Sequence, residues 1–140
     1  MVSWNNLDTL SSFKELSNVK PACLTEVMSG DNGAERGKNY SVPMAAGLSY
    51  NYASKQVNEN VLAALEKLAD EAQLADKFKA LYNGEVVNTG EKRLVLHHMT
   101  RGQLGDAVEA DGVDKRTFYK TQQERIAEFA NKVHNGEITN

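Results

Sequence analysis

The sequence predicts a mainly α-helical chain that carries one small β-hairpin. Two apolar stripes and one change of period support this. Val61, Leu65, Leu68 and Ala72 recur at the spacing of a single helix face, with Leu62 and Ala69 widening it. Phe118, Gln122, Ile126, Phe129, Ala130 and Val133 repeat the pattern over a longer run, predicting a buried helix face. Between Tyr40 and Tyr52 the spacing shortens: Val42, Met44, Leu48, Tyr50 and Tyr52 with Gly47 among them suit two extended segments joined by a turn.

The other elements follow in chain order. Leu7, Leu10, Phe13 and Leu16 predict a short amphipathic helix, closed before Pro21 because proline has no N–H to continue it. A brief helical piece follows around Leu24, Val27 and Met28. Ser29-Gly30-Asp31-Asn32-Gly33 then suits turns, so residues 29–39 are expected to form a loop. Asn58 is placed to cap the helix of the first stripe. Leu74, Phe78 and Leu81 predict another short helix, and Asn83-Gly84 supplies residues that tolerate the left-handed conformation at its end. The stretch from Gly102 to Gly112 is polar, glycine-rich and without apolar period, and is expected at the surface. Asp114 offers a cap for the last helix, which Gly136 stops.

With 140 residues, 41% of them apolar and 25% charged, the chain has the size and composition of one ordinary domain. The net charge of −3 is spread along the sequence, so no basic stripe exists to follow a phosphate backbone, and nucleic acid is not an expected partner. Cys23 is the single cysteine and has no internal disulfide partner, which suits a reducing compartment. No apolar run approaches the ~20 residues that cross a bilayer, so no membrane is expected. Asn39-Tyr40-Ser41 matches a glycosylation sequon by chance.

Three candidate sites resolve to bland readings. Gly33-Ala34-Glu35-Arg36-Gly37-Lys38 superficially resembles a phosphate-binding loop, but three residues separate the glycines and Asn39 follows the lysine. His97 and His98 are adjacent, so their side chains diverge and cannot hold one ion together, and His134 is remote. No metal site is expected. Glu91 with His97 would need a pocket and an anchoring group to act as acid and base. Glu91 with Arg93, beside Leu94, Val95 and Leu96, reads instead as a structural pair that must be compensated if buried.

The run from Asn83 to Arg101 resembles the amino-terminal signature of the glucose-6-phosphate isomerases. Asn83, Gly84, Glu85, Val87, Asn88, Glu91, Arg93, Val95, Leu96, His97 and Arg101 match it without a gap, and Gly90 and Leu94 depart from it. Tyr52-Ala53-Ser54-Lys55, followed by Val57, Glu59 and Val61, is similar to the family's strand-to-helix junction. The likeness covers residues 38–140 well, whereas residues 1–37, a helical arm and loop, match weakly. The resemblance implies one amino-terminal segment, residues 1–140, of an α/β enzyme with two sugar-phosphate-isomerase-type domains. It implies interconversion of glucose 6-phosphate and fructose 6-phosphate through a cis-enediol(ate), with a glutamate base and no cofactor, in a cytoplasmic homodimer. No Gly-Gly-Ser phosphate loop occurs up to Asn140, and no catalytic residue carries over. Asn83, Gly84, Glu85, Asn88, Glu91, Arg93, His97 and Arg101 are expected to be structural. The segment alone is expected to be inactive, its partner being the remainder of the same enzyme. A self-contained helical adaptor that binds another protein is the competing reading.

Overall fold

The computed structural model describes residues 2–102 and 105–139. Six α-helices and three two-stranded antiparallel sheets are seen among these residues. The chain forms two compact units, one of residues 5–72 and one made from the described parts of residues 1–4 and 73–140.

In the first unit, a 3-10 turn at Leu7–Thr9 leads into α1 (Ser11–Ser17), and α2 (Leu24–Val27) follows the proline. The helix predicted from Leu7 onward is thus interrupted at Leu10, which is extended (φ −81°, ψ 143°) and lacks a side-chain cap. The cap comes from another helix. Glu71, at the end of α4 (Glu59–Glu71), accepts from the Ser12 amide at 2.8 Å and from the Ser11 amide and hydroxyl at 3.1 and 3.0 Å. These are the orphan donors of a helix N-terminus, where a carboxylate is doubly favoured by hydrogen bonding and by the dipole.

Ser12, through hydroxyl and amide, is the main cause that holds the Glu71 carboxyl down at about 2, against an ordinary 4.5, and Ser11 adds to it. The Ser12 hydroxyl has no partner at hydrogen-bond geometry, so its amide is the firmer of the two contacts. A carboxyl with a depressed pKa stabilises the fold above its unfolded pKa and ceases to as pH falls through the folded one. Glu71→Gln is therefore expected to remove stability at neutral pH while flattening its loss between about pH 4.5 and about pH 2. Melting temperature followed against pH checks this; parallel acid limbs for the two proteins would refute it.

The segment expected as a loop at residues 29–39 is instead helical, α3 (Gly30–Asn39). Only Gly30 uses a turn conformation there, with φ at +60°. Local propensity for a turn is overridden by tertiary contacts. The reason is Arg36, which is buried and donates to three main-chain carbonyls, Ala53 at 2.8 Å, Lys55 at 3.0 Å and Val57 at 2.7 Å. Its guanidinium also lies 3.9 Å from the centre of the Tyr40 ring. Gly33 lets the helix close on the Met28 carbonyl, which a Cβ there would strike.

The predicted hairpin is present: β1 (Ser41–Pro43) pairs antiparallel with β2 (Ser49–Asn51). Asn58 caps α4 as expected, accepting from the Val61 amide at 3.0 Å. The buried stripe of α4 is centred on Ala64 and Ala72, while Leu65 is exposed.

In the second unit, α5 (Leu74–Tyr82) buries Ala80 and leaves Leu74 and Phe78 in solvent, so those two do not anchor it. β3 (Val86–Asn88) and β4 (Arg93–Leu94) pair with a bulge, followed by a 3-10 turn at His97–Arg101. β5 (Glu109–Ala110) and β6 (Val113–Asp114) pair within the stretch expected to be irregular surface, and α6 (Lys115–His134) runs from there. That stretch also contributes Val108 to the core, which corrects the expectation for residues 102–112; its positions 103 and 104 lie outside the described residues. Asp114 caps α6 through the Arg116 and Thr117 amides. Its carboxyl is held below the ordinary range, chiefly by the Thr117 hydroxyl.

The face of α6 expected to be buried is not. Phe118, Ile126, Phe129 and Val133 are all exposed, Ile126 to 68% and Phe129 to 59%. Four large apolar side chains on one helix side are left without cover among the described residues, the kind of patch that marks an interface.

Candidate functional site

The signature segment is built around a small core. Leu96, Met99 and Val108 are its buried members, Met99 at 0% exposure, and Leu94 and Tyr119 pack against them. Two side chains of α6 hold the surrounding turns. Gln123 Nε2 donates to the Thr100 carbonyl at 2.7 Å. Arg116, which is buried, donates through Nη2 to the Tyr82 carbonyl at 2.6 Å and through Nε to the Asp106 carbonyl. A guanidinium satisfies several carbonyls that no regular element pairs, a use of its planar fork that lysine cannot copy.

The signature residues divide by what they touch. Asn83 ends α5 in a helical conformation, and Gly84 follows with φ at +70°, pressed on Val108. The Glu85 amide donates back to the Ala80 carbonyl at 3.0 Å, which closes the helix end. Asn88 and Glu91 form a reciprocal pair across the β3–β4 turn: the Glu91 amide reaches Asn88 Oδ1 at 3.2 Å, and Asn88 Nδ2 reaches Glu91 Oε2 at 3.3 Å. An Asn that bonds the backbone ahead of it fixes such a turn. Lys92 within it is left-handed, φ +53°.

Glu91 and Arg93 are 3.9 Å apart, but their side chains are 65% and 77% exposed. The two do pair, but the condition of burial is not met in this chain: both charges keep their water, and such a pair is worth little. Arg93→Ala is expected to cost this chain less than about 1 kcal/mol. A larger loss in chemical denaturation would show a contact that this geometry lacks.

The histidines part as adjacent residues should. His97 is exposed, and its carbonyl accepts from the Thr100 hydroxyl at 2.8 Å. His98 is half-buried, its ring stacked on Tyr82 with centroids 4.6 Å apart and its Nε2 buried without a partner. No hydrogen bond joins Glu91 to His97 among the described residues. Phe78, Leu81, Tyr82, His98, Arg101 and Gly102 line a cleft of about 280 Å³, which brings Arg101 and His98 together but includes no carboxylate. The arrangement is thus a set of turns locked by side chain to main chain bonds. A second, wider cleft of about 640 Å³ is lined by Glu85 and Lys92 together with Trp4 and Val86.

The family profile described as Phosphoglucose isomerase matches residues 51–140, which include the whole signature and the junction before α4. The chain belongs to the phosphoglucose isomerase family. Its relatives extend the likeness over nearly all of it. The protein from Treponema denticola named glucose-6-phosphate isomerase is 44% identical over 98% of this chain and 27% of its own length. A protein of the same name from Borreliella afzelii is 42% identical over 99% of this chain and 26% of its own length, and one from Shewanella woodyi 36% identical over 81% and 20%. The chain spans about a quarter of the length of the curated relatives it matches most extensively. Residues 1–37, weakly matched by motif, are thus largely inside the alignment with the Treponema denticola and Borreliella afzelii proteins. The helical fold with small antiparallel sheets agrees with the amino-terminal part of this family, as the signature implied.

The sequence reading missed Arg36, Arg116 and Val108. Arg36 lies in the segment weighed as a phosphate-binding loop, and Arg116 in a helix read for its apolar face. A sequence signal for them was weak, since a buried arginine and a solvated one are written alike.

Proposed function

We propose that this chain is the amino-terminal portion of a glucose-6-phosphate isomerase. The whole enzyme interconverts glucose 6-phosphate and fructose 6-phosphate through a cis-enediol(ate), serving glycolysis and gluconeogenesis. Family membership over residues 51–140 is the observation that carries this reading. In it, residues 1–140 are a single scaffold segment with no catalytic residue of their own. Asn83, Gly84, Glu85, Asn88, Glu91, Arg93, His97 and Arg101 shape its turns, and the remainder of the enzyme supplies the acid, the base and the phosphate site.

Two features support the division of labour. The α6 stripe of Phe118, Ile126, Phe129 and Val133 is left exposed, which suits a segment whose partner surface lies elsewhere. The Arg101–His98 cleft offers a cation but no carboxylate to move a proton between carbons. No helix among the described residues is long and apolar enough to cross a membrane. The same reading takes the whole enzyme to be a cytoplasmic homodimer that needs no cofactor.

A coupled assay of the full-length protein with fructose 6-phosphate tests the proposal. Turnover by the full-length protein and none by residues 1–140 is expected. Absence of turnover from the intact protein would remove the isomerase reading, and turnover by residues 1–140 would remove the claim of inactivity.

A further inference from the structure

We propose that the outer edge of β2 pairs with an extended segment of the polypeptide that follows residue 140 in the full-length isomerase, turning the hairpin into a three-stranded sheet. This rests on the reading of the chain as part of a longer isomerase.

The register of the hairpin defines which backbone groups are free. The Tyr52 amide donates to the Tyr40 carbonyl at 2.9 Å and the Met44 amide to the Leu48 carbonyl at 2.8 Å, with Val42 opposite Tyr50 midway. In an antiparallel ladder, hydrogen-bonded pairs alternate with pairs that are not. The pairs 40/52, 42/50 and 44/48 therefore face inward, and Ser41, Pro43, Ser49 and Asn51 turn their backbone groups outward. Pro43 has no N–H, so the outer edge of β1 is interrupted. Among the described residues no strand pairs with the outer edge of β2, which presents both donors and both acceptors at Ser49 and Asn51.

The two faces of the hairpin differ as well. Asn51 turns toward α3, donating to the Gly37 carbonyl at 2.6 Å and accepting from the Ala53 amide at 3.0 Å, which pins β2. The alternate residues Val42, Met44, Leu48 and Tyr50 are 44%, 55%, 64% and 48% exposed. From Asn39 to Ser54 the sequence holds no charged residue, in a chain that is 25% charged. Free edges in soluble proteins are ordinarily blunted with charge, and a two-stranded hairpin open on one face is marginal by itself. An uncharged edge, an apolar face and one intact row of donors and acceptors fit a strand of alternating apolar residues.

The choice of occupant follows from size. The chain accounts for 27% of the length of its Treponema denticola relative, so most of a full-length enzyme is available to supply a strand. A segment of the same polypeptide also acts at high effective concentration. A second copy is disfavoured, because β2 is three residues long and edge-to-edge pairing of so short a strand buries far less than the roughly 1,200 Å² of a stable interface.

Residue-resolved amide hydrogen exchange on the full-length protein tests this. The Val42 and Tyr50 amides, bonded within the hairpin, are the internal reference. The Ser49 and Asn51 amides are expected to exchange at least tenfold more slowly than in an open edge, independently of protein concentration. Free exchange at Ser49 and Asn51 with protected Val42 and Tyr50 would overturn the proposal. Protection that disappears on dilution would also overturn it, assigning the edge to a second copy. The isomerase assay on the same preparation reads the identity of the enzyme separately.

Discussion

Replacing Arg36 by leucine is expected to destabilise the first unit by about 3 kcal/mol or more, because three main-chain carbonyls, that of Ala53 in the interior, lose their donor at once. A hydrogen bond from a charged group contributes about 1.5–3 kcal/mol, and an acceptor left dry costs about 1–3. The leucine side chain returns some apolar burial, so the sum of the three bonds is an upper bound. Arg36→Lys separates geometry from charge. Its single ammonium cannot span Ala53, Lys55 and Val57 as the fork does, so it is expected to recover only part of the loss. Urea denaturation of the three proteins checks the order, wild type above lysine above leucine. Equal stability of the lysine variant and the wild type would show that charge alone matters at this position.

The second large effect is expected at Gly84, where two penalties coincide. Its φ of +70° costs a side chain about 1 kcal/mol. A Cβ would also lie 3.0 Å from Val108 Cγ2 and 3.2 Å from Val108 Cβ, with Cγ1 closer still. Val108 is buried and, being β-branched, stiff at χ1, so it yields only by moving the loop that carries it. Overpacking of this kind costs about 1–3 kcal/mol, which makes about 3 kcal/mol in total for Gly84→Ala. Gly84→Asn decides which penalty dominates. Asparagine tolerates the left-handed conformation but brings the same Cβ, so it is expected to remain nearly as damaging as alanine. A near-wild-type melting temperature for the asparagine variant would assign the glycine to backbone freedom alone.

These two residues mark the boundary of what could be read in the chain. Gly84 was legible as a helix-ending residue, since Asn-Gly after an apolar run signals a left-handed turn. Its second role, the approach to Val108, joins positions 24 apart and leaves no local trace. Arg36 was read inside a glycine-rich loop because Gly30, Gly33 and Gly37 disfavour a helix. The helix exists because its arginine finds three carbonyls elsewhere in the unit. Asn58 and Asp114 were legible as caps, since a cap acts on amides two or three residues ahead. Glu71 was not, since it caps a helix 59 residues away.

The signature shows the same division. Its residues carry the resemblance to the family, and family membership over residues 51–140 agrees. What those residues do was less visible. Glu91 and Arg93 read as a pair requiring compensation and stand in solvent, whereas Asn88 takes the turn-forming bonds.

The family, the helical class, the hairpin and the caps at Asn58 and Asp114 are legible in the chain, because each is written in local spacing or in a contiguous motif. That residues 30–39 are helical, that Arg36 and Arg116 are buried among carbonyls, and that the apolar side of α6 is uncovered depends on long-range contacts. The physical reason is common to all three. Burial and the pairing of a guanidinium with main-chain oxygens depend on what the folded chain brings together, and an apolar stripe states that a face seeks cover without saying where the cover lies.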